Sequence, residues 1–308
     1  MNKHDLYNLF NDGFEKLRAE REEKEKDKIF LLRGGSVVAL TESGEWIGDP
    51  RTALTRYMGL QKRTPYDQNL LFQAGLANED MIHEYLDAMD VEYRCEEEVP
   101  VKLVTPKGRE VHGRPDCIIE KDGKPVLLLE YKGIFGSTSC LKNHHAGYGT
   151  PKQINMLQCA LYAYYWNCKG VVIYTNRSHH KVYVSKRDEA KFKFPNHRSF
   201  HRNGKGAITR VSPYQSFYEI EWIDDRLHVD GEPTVIKFED IMRGYDAVAD
   251  MYENQVVPPL YPEIINLKGE KERSFGDPNF FYDWKNVDHD DWDSFVEGVV
   301  EEIERDDG

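Results

Sequence analysis

The stretch "GRPDCIIEKDGKPVLLLEYKG", residues 113–133, decides the fold of this 308-residue chain. It reads as two short strands joined by a turn at Asp122–Gly123. Asp116 falls in the first strand, while Glu130 and Lys132 lie near the end of the second, which its apolar run marks as a core strand. Because side chains alternate along a strand, Glu130 and Lys132 share a face, and Asp116 can face the same spot. We therefore predict that two carboxylates and one ammonium group converge at the edge of an apolar sheet.

These three charges suggest chemistry on a phosphodiester. Charged groups on a sheet are costly unless they are paired or bind a metal. The carboxylates of Asp116 and Glu130 could hold Mg²⁺ or Mn²⁺, and Lys132 could orient an attacking water or stabilise charge on the phosphate. The alternative is an exposed hairpin in which Glu130 and Lys132 form an ordinary ion pair and Asp116 belongs to a turn.

The remaining pattern predicts an α/β fold with a mixed central sheet flanked by helices. Residues 29–40 suit a strand or hairpin, and residues 49–60 suit a helix with Asp49 as N-cap and Pro50 at its first position. Downstream we predict three strands over 99–133, a helix over 152–168, a strand over 170–175 and a helix over 238–255. The expected organisation is a charged helical appendage (1–30), one domain (31–270) and an acidic tail (271–308).

A helix over residues 71–90 carries the next candidates. Glu79 sits at the edge of its predicted buried stripe, and His83 lies one turn further along the same edge. His83 is also compatible with a plain core or surface position. The apolar residues that define the stripe are Ile82, Tyr85, Leu86 and Met89.

The net charge of -13 is unevenly distributed. Residues 177–210 carry a net charge of +8, and residues 277–308 carry -10. The basic segment interleaves cations with aromatic residues, as in grooves that bind single-stranded nucleic acid, although a solvated loop is the alternative. The acidic tail reads as a disordered solvated end or, alternatively, as a segment that mimics DNA or binds a replication or recombination protein. The candidate DNA-binding cations are Lys186, Arg187, Lys191 and Lys193.

The cysteine pattern favours buried thiols in a reducing compartment. The chain has five cysteines and no C-x-x-C pair, so neither a disulfide scaffold nor a zinc ribbon is expected. It also has no secretory leader pattern and no apolar run of about 20 residues. We therefore expect a cytoplasmic protein without a membrane partner. The cysteines are Cys95, Cys117, Cys140, Cys159 and Cys168.

Three motifs in this order resemble the PD-(D/E)XK nuclease superfamily. "RPD", then 13 residues, then "EYK" resembles its catalytic strands. "GLANE" (75–79) resembles the G-x-x-x-E of the preceding helix in RecB-like and lambda-type exonucleases, and "QCALY" (158–162) is similar to the Q-x-x-x-Y of the RecB-like branch. Residues 48–60 resemble the upstream stretch of the iron-sulfur members, but Asp49 stands where their cysteine would be. No iron-sulfur cluster is therefore expected.

The resemblance implies a restriction-endonuclease-like core and a metal-dependent deoxyribonuclease. The expected activity is that of an exonuclease in DNA recombination, repair or replication, and a phage or bacterial source would fit. Asp116, Glu130 and Glu79 would bind Mg²⁺ or Mn²⁺, with His83 as a substitute ligand, and Lys132 would serve the attacking water. Gln158 and Tyr162 would hold the DNA, although they also suit a plain helix pair. The alternatives are a structure-selective or restriction-type endonuclease and a non-catalytic nucleic-acid-binding or assembly protein.

Overall fold

The computed structural model describes most of the chain in separate ranges. These are residues 12–17, 19–20, 30–60, 79–134, 152–176, 200–202, 208–211, 214–258, 263–273 and 291–305. The helices are α1 (12–17 and 19–20), α2 (Pro50–Tyr57), α3 (79–88), α4 (Gln153–Trp166), α5 (Phe238–Glu253) and α6 (Trp292–Arg305). None of these described helices has the length and apolar character that a bilayer crossing needs.

The strands that build the central sheet are β4 (Tyr93–Cys95), β7 (Cys117–Lys121), β8 (Lys124–Ile134), β9 (Lys169–Asn176), β12 (Tyr214–Ile223), β13 (Arg226–Val229) and β14 (Glu232–Lys237). The others are β1 (Leu32–Arg33), β2 (Ala39–Leu40), β3 (Trp46–Ile47), β5 (Val101–Val104), β6 (Glu110–Gly113), β10 (Phe200–Arg202), β11 (Ile208–Val211), β15 (Glu263–Ile265) and β16 (Lys271–Arg273).

A seven-stranded sheet forms the centre of the fold, in the order β14-β13-β12-β9-β8-β7-β4. Strands β8 and β9 are parallel, while every other neighbouring pair in this sheet is antiparallel. Helix α4 follows β8 along the chain, precedes β9 and packs against both strands. This is the predicted α/β fold with a mixed central sheet, and the quoted hairpin β7–β8 lies inside it.

Alternation along β8 divides the core between the two faces of the sheet. On one face, Leu128 packs in the cluster that includes α4. On the other, Leu129 and Tyr131 pack with Ile82 and Leu86 of α3. Helices therefore cover both faces, and consecutive residues of β8 meet different surroundings.

Two local predictions are confirmed around the upstream helix and the 153–176 unit. Helix α2 begins at Pro50, and the Asp49 side chain caps it by accepting a hydrogen bond from the Arg51 backbone N–H at 3.0 Å. Helix α4 and strand β9 also lie where the pattern predicted them.

Other boundaries differ from the prediction. Residues 99–133 contain four strands, because β5 and β6 form a hairpin that joins β1 in a separate sheet. The stretch predicted as a strand or hairpin contains, within residues 30–40, two short strands that do not pair with each other, since β1 pairs with β6 and β2 pairs with β3. Tyr85 of α3 and Met89, which follows the helix, are exposed, so the buried stripe is narrower than the apolar spacing suggested.

The described residues beyond 270 do not form a detached tail. Strand β16 pairs with β15, and Phe295 and Val299 of α6 are fully buried against residues of α2 and α5. The Arg51 guanidinium lies 5.1 Å from the centre of the Phe295 ring. The sequence prediction rested on the acidic composition of residues 277–308 and overlooked Phe295 and Val299, an apolar i, i+4 pair on one side of this helix. Residues 274–290 lie outside the described ranges.

Replacement of Phe295 tests whether α6 belongs to the folded core. We expect Phe295→Ala to lower the free energy of unfolding by about 3 kcal/mol, because it removes a fully buried aromatic side chain. Val300→Ala on the same helix should change it by less than about 0.5 kcal/mol, since Val300 is an exposed position. Urea unfolding measures both values, and equal, small effects would show that α6 contributes nothing to stability.

Candidate active site

Asp116 occupies the end of the loop that leads into β7. The prediction placed it within the strand, but β7 begins one residue later, at Cys117. Its carboxylate is held across the hairpin, because the backbone N–H of Tyr131 donates a hydrogen bond to Asp116 Oδ2 at 2.5 Å. The structure therefore brings Asp116 next to the segment of β8 that carries Glu130 and Lys132.

Glu130 and Lys132 lie on the α4 side of β8. The Glu130 side chain is fully buried, and its Oε1 accepts a hydrogen bond from Lys132 Nζ. The Lys132 side chain retains 25% of its exposure, so it reaches from this interior towards solvent. The second oxygen, Glu130 Oε2, is buried and has no hydrogen-bond partner among the described residues. A buried carboxylate oxygen of this kind needs a proton or a cation.

The site holds more acidic groups than basic groups. Burial raises the pKa of Glu130, and the Asp116 carboxylate raises it further against the opposing effect of Lys132. Burial also raises the pKa of Asp116, which Lys132 and the Tyr131 N–H only partly offset. Burial disfavours the charged form of Lys132, but Glu130 and Asp116 outweigh that effect and raise its pKa. Lys132 is consequently a cation between two carboxyl groups that resist ionisation.

Glu79 belongs to the same electrostatic group. It is half-buried at the N-terminal end of the described part of α3. Burial raises the pKa of Glu79 to about 7, with Asp116 as the second cause. This agrees with the predicted position at the edge of a buried stripe. A divalent cation bound near these three acids would relieve their mutual repulsion. Their role as metal ligands stays a prediction.

His83 makes its described side-chain contacts on the other face of the sheet from Glu130. Its Nε2 lies 3.4 Å from Cys95 Sγ, and its ring packs beside Tyr131, which faces away from Glu130. The ring is still near enough to Asp116 to lower the pKa of that carboxyl. The role of His83 as a substitute ligand therefore stays a prediction.

Tyr162 is a packing residue in this structure. It is only 2% exposed, and Gln158 Nε2 donates a hydrogen bond to its hydroxyl at 3.4 Å. A Cβ atom added to Gly34 or to Gly113 would collide with the Tyr162 ring. The hydroxyl also bonds the backbone of Arg114, two residues before Asp116. The buried position is at odds with the predicted DNA contact and indicates that Tyr162 positions the loop carrying Asp116, while Gln158 remains partly exposed.

The predicted DNA-binding cations Lys186, Arg187, Lys191 and Lys193 lie outside the described residues, as do residues 75–78 of the "GLANE" motif. Their roles stay predictions.

Sequence reasoning missed two groups of residues around the hairpin. Gly34 and Gly113 admit the Tyr162 ring, and only "GG" at 34–35 hinted at a close approach of backbone. Cys95 pairs directly across the sheet from Cys117, and both lie near His83. To predict that pair from sequence, one would have to know the register in which β4 pairs with β7.

Replacement of Gly34 tests the packing of Tyr162. We expect Gly34→Ala to lower the free energy of unfolding by about 1–3 kcal/mol, because the added methyl group overlaps a buried ring. Gly35→Ala is the matched control, since nothing lies within 4 Å of the Cβ position at Gly35. Comparable urea midpoints for the two variants would contradict the contact.

The raised pKa of Glu79 predicts a pH-dependent loss of stability in the metal-free protein. Between about 4.5 and 7, the folded protein keeps a proton that the unfolded chain has released, so stability falls as pH rises through this window. Glu79→Gln should make that decline shallower, whereas Glu84→Gln, at an exposed position on the same helix, should not. Melting temperatures in EDTA from pH 4 to pH 8 measure the slopes, and an unchanged slope in Glu79→Gln would refute the burial of its charge.

Comparisons with known proteins do not show a family for this chain. No family model matches, and no curated protein matches. Among solved structures, the chain is similar to one described as the crystal structure of SSO0001, with 14% identity over 77% of this chain and 85% of that one. With a TM-score of 0.38, this likeness supports no conclusion about the relationship or the function of the chain.

Proposed function

We propose that this protein is a metal-dependent deoxyribonuclease of the RecB-like PD-(D/E)XK kind, acting as an exonuclease in DNA recombination, repair or replication. The observation that carries the proposal is Glu130 Oε2, which is buried without a partner beside Lys132 and close to Asp116. An ordinary exposed ion pair, the alternative for these residues, would leave no carboxylate oxygen in the protein interior.

The residues present fit Mg²⁺ or Mn²⁺. The candidate ligands are the carboxylates of Asp116, Glu130 and Glu79, which are hard oxygen donors, and the unpartnered oxygen of Glu130 supplies a ready position. When bound, the ion would supply positive charge that polarises the scissile phosphate and acidifies the attacking water. Binding would also offset the repulsion that raises the pKa values of all three acids.

Lys132 acts in this proposal as a fixed positive charge. Its raised pKa supports a protonated side chain at neutral pH, which cannot accept a proton from water. Its partly exposed ammonium can instead orient the water and stabilise negative charge that develops on the phosphate oxygens. The bond to Glu130 fixes its direction before substrate arrives.

The remaining residues would hold these groups in place. The Tyr131 N–H fixes the Asp116 carboxylate, and Tyr162 braces the preceding loop through its contacts with Gly113 and the Arg114 backbone. Strand β8 lies in the sheet interior between β7 and β9, so the reacting groups stand on a rigid element. Contacts with the DNA backbone would then come mostly from outside this centre.

Two sets of variants test the proposal, one in the candidate site and one in an exposed ion pair. Wild-type protein should degrade end-labelled linear DNA with Mg²⁺ or Mn²⁺ but not with EDTA, and it should spare covalently closed circles. Asp116→Asn and Lys132→Ala should reduce cleavage by about 100-fold or more while DNA binding and folding persist. Lys102→Ala and Glu110→Gln, which disrupt an exposed Lys–Glu pair, should cleave like wild type.

The other possible results would each indicate a different function. Cleavage of both linear and closed circular DNA would indicate the endonuclease alternative. A folded wild-type protein that binds DNA but never cleaves it would indicate a non-catalytic binding protein. Wild-type rates in Lys132→Ala would show that the charged hairpin is structural.

A further inference from the structure

A second group of potential ligands lies beneath the hairpin, on the face of the sheet opposite Glu130. His83 comes from α3, Cys95 from β4 and Cys117 from β7. Cys95 and Cys117 are directly opposite each other in the antiparallel pair β4–β7, so their side chains share a face. His83 Nε2 lies 3.4 Å from Cys95 Sγ, and one ligand atom from each residue lies within 4.8 Å of the other two.

We propose that His83, Cys95 and Cys117 bind a zinc ion. In tetrahedral sites the Zn–S bonds are about 2.3 Å and the Zn–N bonds about 2.0 Å long, which places neighbouring ligand atoms roughly 3.5–4 Å apart. The three atoms already lie close to that separation, so side-chain adjustments alone could close the site. Two sulfur atoms and one imidazole nitrogen favour zinc over Mg²⁺, whereas the carboxylates across the sheet have the opposite preference.

The surroundings of the three residues support a built site. The His83 ring is stacked on Tyr93 with centroids 5.5 Å apart and meets Tyr131 edge-on at 5.9 Å, so its orientation is constrained. The Tyr131 hydroxyl is buried beside the Cys117 thiol and shares a hydrogen bond with it. A hydroxyl beside a ligating sulfur is an outer-shell partner of the kind that orients metal ligands.

A zinc ion here would connect elements that are far apart in sequence. It would tie α3 to β4 and β7, and thereby link the helix that carries Glu79 to the residue that follows Asp116. Its role would be structural, because it lies on the other face of the sheet from Glu130 and Lys132.

Cobalt substitution tests the site directly. Full-length protein, purified with a reductant and stripped with a chelator, is titrated with Co²⁺ and then with Zn²⁺. We expect one Co²⁺ per chain to give a sulfur-to-cobalt charge-transfer band and tetrahedral d–d bands, and both signals to be lost when Zn²⁺ is added. Cys95→Ser should weaken Zn²⁺ binding by more than about 100-fold, since even the loss of an outer-shell partner costs 10- to 100-fold.

A matched variant separates this site from general thiol chemistry. Cys168→Ser removes a half-buried free thiol outside the cluster and should leave the cobalt spectrum unchanged. His83→Gln provides a second ligand variant, and circular dichroism confirms that each protein is folded. The proposal is overturned if the reduced wild type gives no charge-transfer band, or if Cys95→Ser and His83→Gln both bind Zn²⁺ like wild type. Formation of a Cys95–Cys117 disulfide without metal binding by the reduced protein would also overturn it.

Discussion

The burial of the Glu130 carboxylate is the constraint on which the centre of this structure depends. An ion in the protein interior costs several kcal/mol unless other charges and hydrogen bonds compensate it. Lys132 compensates one oxygen of Glu130, while the other has no described partner and Asp116 adds a second, half-buried acid. The surrounding sheet and α4 must therefore provide enough apolar packing to hold this arrangement together. Because burying these carboxyl groups costs free energy, their arrangement points to a functional role and not to a contribution to stability.

The hairpin β7–β8 separates two kinds of chemistry by alternation alone. Glu130 and Lys132 face α4, whereas Tyr131 between them faces α3 together with Cys117. Carboxylate groups consequently collect on one face, and thiol and imidazole groups collect on the other. The two groups of side chains are separated only by the thickness of the sheet. They lie near each other but on opposite faces, so they share no side chain. Helix α3 contributes to both, through Glu79 at its described start and His83 one turn later.

Local signals in the sequence predicted much of this arrangement. Period-two alternation placed Glu130 and Lys132 on one face, and the Asp49–Pro50 pair located the start of α2. Long-range packing decided the rest. The separation of β1 and β2 into different sheets depends on their partners β6 and β3, which lie elsewhere in the chain. The burial of Tyr162 required the absence of side chains at Gly34 and Gly113, and the burial of Phe295 depended on α2 and α5. These contacts join residues that are far apart in the chain, so no short stretch of sequence could predict them.

The alternation along β8 also has a consequence for how such a gene can change. Strand β7 contains a register irregularity between Ile119 and Glu120, and beyond it Cys117 pairs with Leu129. An in-frame insertion or deletion of one codon between these two residues, unless such an irregularity absorbed it, would shift the pairing and exchange the two faces of the strand. Glu130 would then point at α3, and Tyr131 at α4. Point substitutions can alter the two ligand groups separately, but a change in length between them alters both at once, so natural variants of this hairpin should preserve its length more strictly than its composition.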